Sequence, residues 1–172
     1  MEITYTTSQC RLGKLLIAAT PKGLCMVAVG KSEKELERRL VSDFPTATAK
    51  RDNAVMDSLR RTVEARVEGK GMRDELPLDL HGTPFQLAVW KEMLRIPAGS
   101  TRSYADVARR IGRPKAFRAV AQACGANPVP IVVPCHRVVA SGGKLGGYTG
   151  GIDRKIFLLA NEGVTNPGWS AT

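Results

Sequence analysis

The repeat of apolar residues changes near residue 80, and that switch constrains the fold more than any other feature of the chain. Before it, the short runs Ile3–Thr6, Lys14–Ala19 and Leu24–Val29 have strand character, and Pro21-Lys22-Gly23 supplies a turn between the last two. An antiparallel meander is predicted. Ser32 then caps a charged helix running to about Asp43. A second helical stretch, from about Asn53 to Glu68, places Val55, Leu59, Val63 and Val67 on one stripe, and Gly69 and Gly71 end it. Residues 1–78 therefore read as a small N-terminal α+β domain, an antiparallel sheet with helices, with a linker around Gly69–Pro77. Nothing in it suggests chemistry.

Residues 79–172 read as a second, mainly helical domain. Thr83-Pro84-Phe85-Gln86 joins an N-cap Thr, a Pro at the first helical position and a Gln able to close a capping box. The helix it opens runs to about Arg95, with Phe85, Val89 and Met93 as its buried stripe and Trp90 also in the core. Ser103 caps the next helix, in which Tyr104, Val107, Ala108 and Ile111 share a face before Gly112 ends it. After Gly112-Arg113-Pro114 a further helix spans about Lys115 to Cys124, with Phe117, Val120 and Cys124 inward and Lys115, Arg118 and Gln122 outward. Two short helices on a tight turn make a helix-turn-helix candidate, and an ordinary helical hairpin fits the pattern equally well.

Charge separates these readings in part. Residues 1–80 carry 14 Lys+Arg against 12 Asp+Glu, whereas residues 81–172 carry 12 against 4. Arg102, Arg109, Arg110, Arg113, Lys115 and Arg118 crowd a segment whose only acid is Asp106. A polyanion is the natural partner for such a segment, although a basic surface kept for solubility has the same composition. Small Ala side chains along the second helix would let its backbone approach a groove.

The longest apolar runs are far too short to span a bilayer, and no charged leader precedes an apolar stretch, so a soluble, unexported, cytoplasmic protein is expected. Its four cysteines, irregularly spaced, suit reduced thiols.

Chemistry concentrates at Pro134-Cys135-His136-Arg137, set between the apolar run Val129–Val133 and Val138-Val139. A thiol becomes nucleophilic when its thiolate is stabilised, and His136 and Arg137 bring imidazole and guanidinium beside it. Adjacent residues cannot share one face of a strand, so His136 has to act through a turn or a bridging water. Cys135 taken alone is also what a buried small hydrophobe looks like. A zinc site is disfavoured, because Cys124, Cys135 and His136 lack paired short spacings.

The stretch from Asn127 through Pro134-Cys135-His136-Arg137 to Val139 resembles the active-site signature of the O6-alkylguanine-DNA alkyltransferases, also called methylated-DNA protein-cysteine methyltransferases. The resemblance extends upstream through Ser103-Tyr104 and Pro114–Val120, and downstream through Gly147–Gly151 to Asn161-Glu162-Gly163. The N-terminal half resembles the family's variable, ribonuclease H-like domain, nearest to the alkyltransferase half of bacterial adaptive-response proteins. Thr20 and Cys25 stand where the human relative has zinc ligands, which implies a metal-free protein.

The resemblance implies roles. Cys135 would accept the alkyl group irreversibly, and His136, oriented by Glu162, would deprotonate it through water. Tyr104 would donate to the departing guanine, and Asn127 would link the recognition helix to the active-site loop. Arg118 would replace the extruded nucleotide in the duplex, with Lys115, Ala119 and Gln122 beside it on the DNA. Pro130, Val138, Tyr148 and Thr149 would line the base pocket, with main-chain groups of Cys135 and Val138 reading the guanine edge.

The implied partner is double-stranded DNA carrying O6-alkylguanine, bound through the minor groove by a monomer without any cofactor, and O4-methylthymine is a further candidate substrate. An alkyl group on O6 weakens pairing, so the damaged nucleotide is the easier one to extrude. A damage sensor without transfer, a sequence-specific regulator with an inert Cys135, and a thiol hydrolase are the other classes open at this point.

Overall fold

A computed structural model describes residues 1–169; Ser170 to Thr172, the end of the second expected domain, lie outside the described residues. Packing divides the chain into two compact units, Met1–His81 and Gly82–Thr172.

The first unit is built on strands β1 (Glu2–Cys10), β2 (Gly13–Thr20), β3 (Gly23–Gly30) and β4 (Thr48–Arg51), in the order β3-β2-β1-β4. The first three form the antiparallel meander, with Thr6 opposite Ile17 and Leu16 opposite Ala28. The expectation of a wholly antiparallel sheet needs correcting, because β4 adds to β1 in parallel, from Glu2 opposite Thr48 to Tyr5 opposite Arg51. All four β4 side chains are exposed at this edge, so the strand has no apolar alternation to betray it.

Helix α1 (Glu33–Asp43) starts where Ser32 accepts a hydrogen bond from the Glu35 amide. It buries Leu36 and Leu40 against Ile3, Leu16, Ala18, Met26 and Ala28. Helix α2 (Asp57–Val67) packs on β1. It begins later than its stripe implies. The Asp52 carboxylate accepts from the Val55 amide at 3.1 Å and fixes a turn, so Val55 is 68% exposed and Met56 takes the buried place.

In the second unit, α3 (Pro84–Met93) and α4 (Tyr104–Arg110) both open with complete capping boxes, Thr83 with Gln86 and Ser103 with Asp106. Helix α5 (Phe117–Gly125) follows across residues 111–116, turned by Gly112 at φ 75°. Val89, Trp90, Met93, Val107, Ala108, Val120 and Ala123 are buried, and the Trp90 indole donates to the Ala123 carbonyl at 2.8 Å.

Three local expectations shift. Phe85 is only partly buried, Lys115 precedes α5 instead of opening it, and Phe117 is 46% exposed because no preceding helical turn covers it. Two short parallel strands, β5 (Arg102–Ser103) and β6 (Val138–Val139), fasten the start of α4 to the segment after Cys135. Helix α6 (Ile152–Asn161) completes the unit.

Candidate active site

The loop from Asn127 to Pro134 is shaped by one side chain. Asn127 Nδ2 donates to the Val133 carbonyl at 2.8 Å, and its Oδ1 accepts from the Val129 amide at 3.0 Å. Both ends of the apolar run are thereby tied to the residue just beyond α5, and the Val133 amide closes the turn onto the Val129 carbonyl. Ile131, buried, sits at φ 77°, a left-handed conformation that a β-branched side chain resists. The loop holds that conformation because Asn127 and the buried valines on either side fix its ends.

Pro134 leads into a single 3-10 turn, Cys135–Arg137, instead of a strand. At three residues per turn, neighbouring side chains leave the axis in well-separated directions. The turn thus removes the alternating-face objection to His136 acting on this loop.

His136 and Arg137 both meet Glu162, the residue that caps the C-terminus of α6. His136 Nε2 lies 2.9 Å from Glu162 Oε1, while Arg137 donates from Nε to Oε2 at 2.9 Å and from Nη2 to Oε1 at 2.7 Å. Arg137 Nη1 also donates to the Ile96 carbonyl at 2.7 Å.

The Glu162 side chain is 2% exposed. Burial acts to raise its pKa, but the His136 and Arg137 hydrogen bonds outweigh burial and hold it at about 2. An ionised carboxylate only accepts, so Nε2 carries the imidazole proton and Nδ1 is the basic nitrogen. Nδ1 is buried and has no protein partner. Burial pulls the His136 pKa down despite Glu162, which keeps the ring neutral near pH 7.

Cys135 is 6% exposed. Burial raises its pKa, opposed by hydrogen bonding to Asn127, by the positive charge of Lys155 and by hydrogen bonding to Tyr148. The expectation that imidazole and guanidinium flank the sulfur is therefore corrected for Arg137, whose guanidinium is committed to Glu162 and Ile96. Tyr104 lies in the same electrostatic environment, with its pKa pushed to about 12 by burial and by Cys124 and Cys135. It stays a neutral phenol, directed at the Gly147 carbonyl at 3.5 Å.

Lys155 is a buried residue of this site that the sequence reading misses. It is fully buried, and its ammonium donates to the carbonyls of Val138 at 2.7 Å, Leu145 at 2.8 Å and Gly147 at 3.0 Å. The segment after the cysteine is thus fastened to α6 at three points. Its signal in the sequence is a cation on the apolar stripe of Ile152, Leu158 and Leu159, where a lysine needs internal acceptors. Burial lowers its pKa to about 8.

The remaining candidates fall into two places. Val138 is buried, with its amide on the Cys135 carbonyl and its own carbonyl on Lys155, so only second lone pairs of these carbonyls remain for a base. Pro130 and Tyr148 are partly buried, and exposed Thr149 donates to the Gly125 carbonyl at 3.0 Å. Arg118, Ala119 and Gln122 are exposed on α5, with Lys115 exposed in the turn before it.

In the first unit the Thr20 hydroxyl donates to Asp79 at 2.6 Å and Cys25 is a buried thiol raised to about 11. Among the described residues no group of three or more His, Cys, Asp or Glu side chains could hold a metal, and no helix is long and apolar enough to cross a membrane.

Comparison with known proteins places this arrangement. Residues 84–164 match the family described as 6-O-methylguanine DNA methyltransferase, DNA binding domain, and residues 3–80 match its ribonuclease-like domain. The chain is 54% identical over 165 residues to the methylated-DNA–protein-cysteine methyltransferase of Mycolicibacterium paratuberculosis, covering 96% of this chain and 95% of that protein. It is 41% identical over 166 residues to the bifunctional transcriptional activator/DNA repair enzyme Ada of Escherichia coli, covering 94% of this chain but 46% of Ada. The chain thus spans about half the length of the Ada-type relatives it matches.

The crystal structure of Mycobacterium tuberculosis OGT in complex with DNA superposes with a TM-score of 0.73 at 36% identity, covering 94% of this chain and 92% of that one. Two domain matches that together span nearly the whole sequence, and a relative more than half identical along its length, assign the chain to the O6-alkylguanine-DNA alkyltransferase family.

Proposed function

We propose that this protein repairs DNA by moving the alkyl group of an O6-alkylguanine from duplex DNA onto Cys135 in a single irreversible turnover. The observation that carries the reading is the buried chain Arg137–Glu162–His136 on the same turn as an otherwise unreactive buried thiol. Such a thiol needs a base. His136 Nδ1 takes the proton from Sγ through a shared water, and Glu162 holds the tautomer and balances the imidazolium that forms.

The sulfur then attacks the alkyl carbon. A carbon–sulfur bond forms, the carbon–O6 bond breaks, and its electron pair passes to the guanine. Tyr104, still protonated, gives its proton to the ring where negative charge develops and takes one back through solvent, while His136 releases to solvent the proton it took from the thiol, so the protons balance. The thioether is not hydrolysed under cellular conditions, so each chain acts once. No cofactor enters this scheme.

Residues 1–78 are read as the ribonuclease H-like unit, and residues 79–172 as the DNA-binding and acceptor unit, in which α4 and α5 act as a helix-turn-helix against the minor groove. Lys115 and Gln122 meet the backbone, Ala119 permits close approach, and Arg118 fills the gap left by the extruded nucleotide. Asn127 fixes the loop, and Pro130, Val138, Tyr148 and Thr149 line the base pocket. The four free cysteines suit a reducing cytoplasm, and the chemistry is complete within a monomer.

Intact-protein mass spectrometry after incubation with duplex DNA holding one O6-methylguanine tests this. One methyl increment per chain, mapped to Cys135 and absent from Cys135→Ser, is expected. An unchanged mass with the DNA bound would remove Cys135 as acceptor.

A further inference from the structure

Helix α5 turns Val120, Ala123 and Cys124 into the core, and Phe117 precedes Val120 by three residues, a spacing that continues the buried stripe. Phe117 nevertheless stands 46% exposed at the helix start. Its surroundings are cationic. Arg113, Lys115 and Arg118 are all exposed, and no Asp or Glu occurs in the sequence between Asp106 and Asp153.

Farther along the helix the exposed side chains are Ala119 and Gln122, so an exposed phenyl and an exposed guanidinium occupy the first two positions of the helix. That surface complements a polyanion, and the phenyl has a use there that a phosphate contact does not. Proteins on the minor groove insert rigid apolar side chains between base steps and so open the stack.

We propose that Phe117 is an apolar wedge that enters the minor groove beside Arg118 and stacks on the base step next to the extruded nucleotide, an assignment that rests on the alkyl-transfer reading of Cys135. Arg118 then fills the vacated position while Phe117 holds the neighbouring step open. The phenyl neutralises no phosphate, so its contribution is independent of salt, unlike that of Lys115.

The test compares transfer from duplex O6-methylguanine with transfer from free O6-benzylguanine for wild type, Phe117→Ala and Phe117→Trp. Binding to the same duplex is followed across salt concentrations in a Cys135→Ser background. The expected result is a duplex-to-free-base rate ratio lowered roughly tenfold in Phe117→Ala, the size of one base–aromatic stack, and restored in Phe117→Trp. The slope of log affinity against log salt should be the same for Phe117→Ala as for the protein that keeps the phenyl, whereas Lys115→Ala should flatten it.

An unchanged ratio, or an equal loss on both substrates, overturns the wedge. A wild-type protein that transfers from neither substrate sinks the reading of Cys135 instead.

Discussion

Arg137 and Glu162 form a two-pronged buried ion pair, with Nε to Oε2 at 2.9 Å and Nη2 to Oε1 at 2.7 Å, and the second oxygen is the one His136 also uses. One carboxylate therefore holds both side chains, and in the proposed reaction it would serve fold and chemistry together. Removing its charge should cost in both, and the two costs can be measured separately.

Glu162→Gln keeps the size of the side chain but not the charge that balances a protonated His136. Transfer should slow by about 10²-fold or more, within the range for loss of general-base assistance, while affinity for duplex DNA stays close to wild type. Single-turnover transfer and binding on the Cys135→Ser background check this. Equal loss of affinity and rate would mean that Glu162 supports the fold alone.

The same carboxylate ties stability to pH. Its pKa is about 2 in the folded protein against 4.5 ordinarily, so its contribution is complete above pH 4.5 and disappears as pH falls through about 2. Wild type should exceed Glu162→Gln in unfolding free energy by on the order of 2 kcal/mol at neutral pH, with the gap closing in acid. Urea titrations at pH 7 and pH 3 measure it, and a gap independent of pH would place the effect in packing.

His136 is held below the ordinary imidazole range by burial, and Glu162 pulls the other way. Below its pKa the ring is protonated and cannot accept the thiol proton. The acid limb of transfer should therefore lie below pH 6.5, and Glu162→Gln should move it lower while depressing the plateau. A limb that moves up in the variant would contradict this pairing.

Asn127 makes two hydrogen bonds to one loop, at 2.8 and 3.0 Å, and lies within hydrogen-bonding reach of Cys135. Asn127→Ala leaves the Val129 amide and the Val133 carbonyl without these partners, in buried surroundings. A loss of about 2–4 kcal/mol in stability is expected, with slower transfer, because Ile131 loses the restraint that holds its left-handed backbone. Thermal unfolding and transfer from free O6-benzylguanine report both effects.

What the sequence discloses here follows the range of the interactions. The capping box at Thr83, the cap at Ser103 and the buried Trp90 are readable because helix starts are local and a 3.6-residue stripe is visible in one window. Strand β4 is not, since an exposed edge strand of polar residues gains its place from β1, distant in the chain. Cys135 and His136 stand out as a thiol and an imidazole set inside an apolar run and Glu162 only by resemblance, whereas Arg137 and Lys155 are placed by partners at Ile96, Glu162 and the 138–147 carbonyls. Phe117 shows the limit of periodicity: the stripe gives the face, but burial also needs something to pack against.

Lys155 offers a prediction at the other end of the pH scale. As an ammonium it has three protons for three carbonyls, those of Val138, Leu145 and Gly147; as a neutral amine it has two. Its pKa of about 8 means that one of these bonds is lost as pH rises through that value. Cys135 and Cys124, whose charge would act on it, are both raised by burial and keep their protons there, and His136, which also feels the ammonium, is held neutral by burial. Transfer from free O6-benzylguanine should therefore decline above about pH 8. Lys155→Met should react at least roughly tenfold more slowly at pH 7, about the effect of losing a buried charged donor, and show no such decline. A wild-type rate that climbs steadily to about pH 9.5, near the ordinary range of a thiol, would instead mean that thiol ionisation governs this limb and that the three-point fastening is dispensable to the pocket.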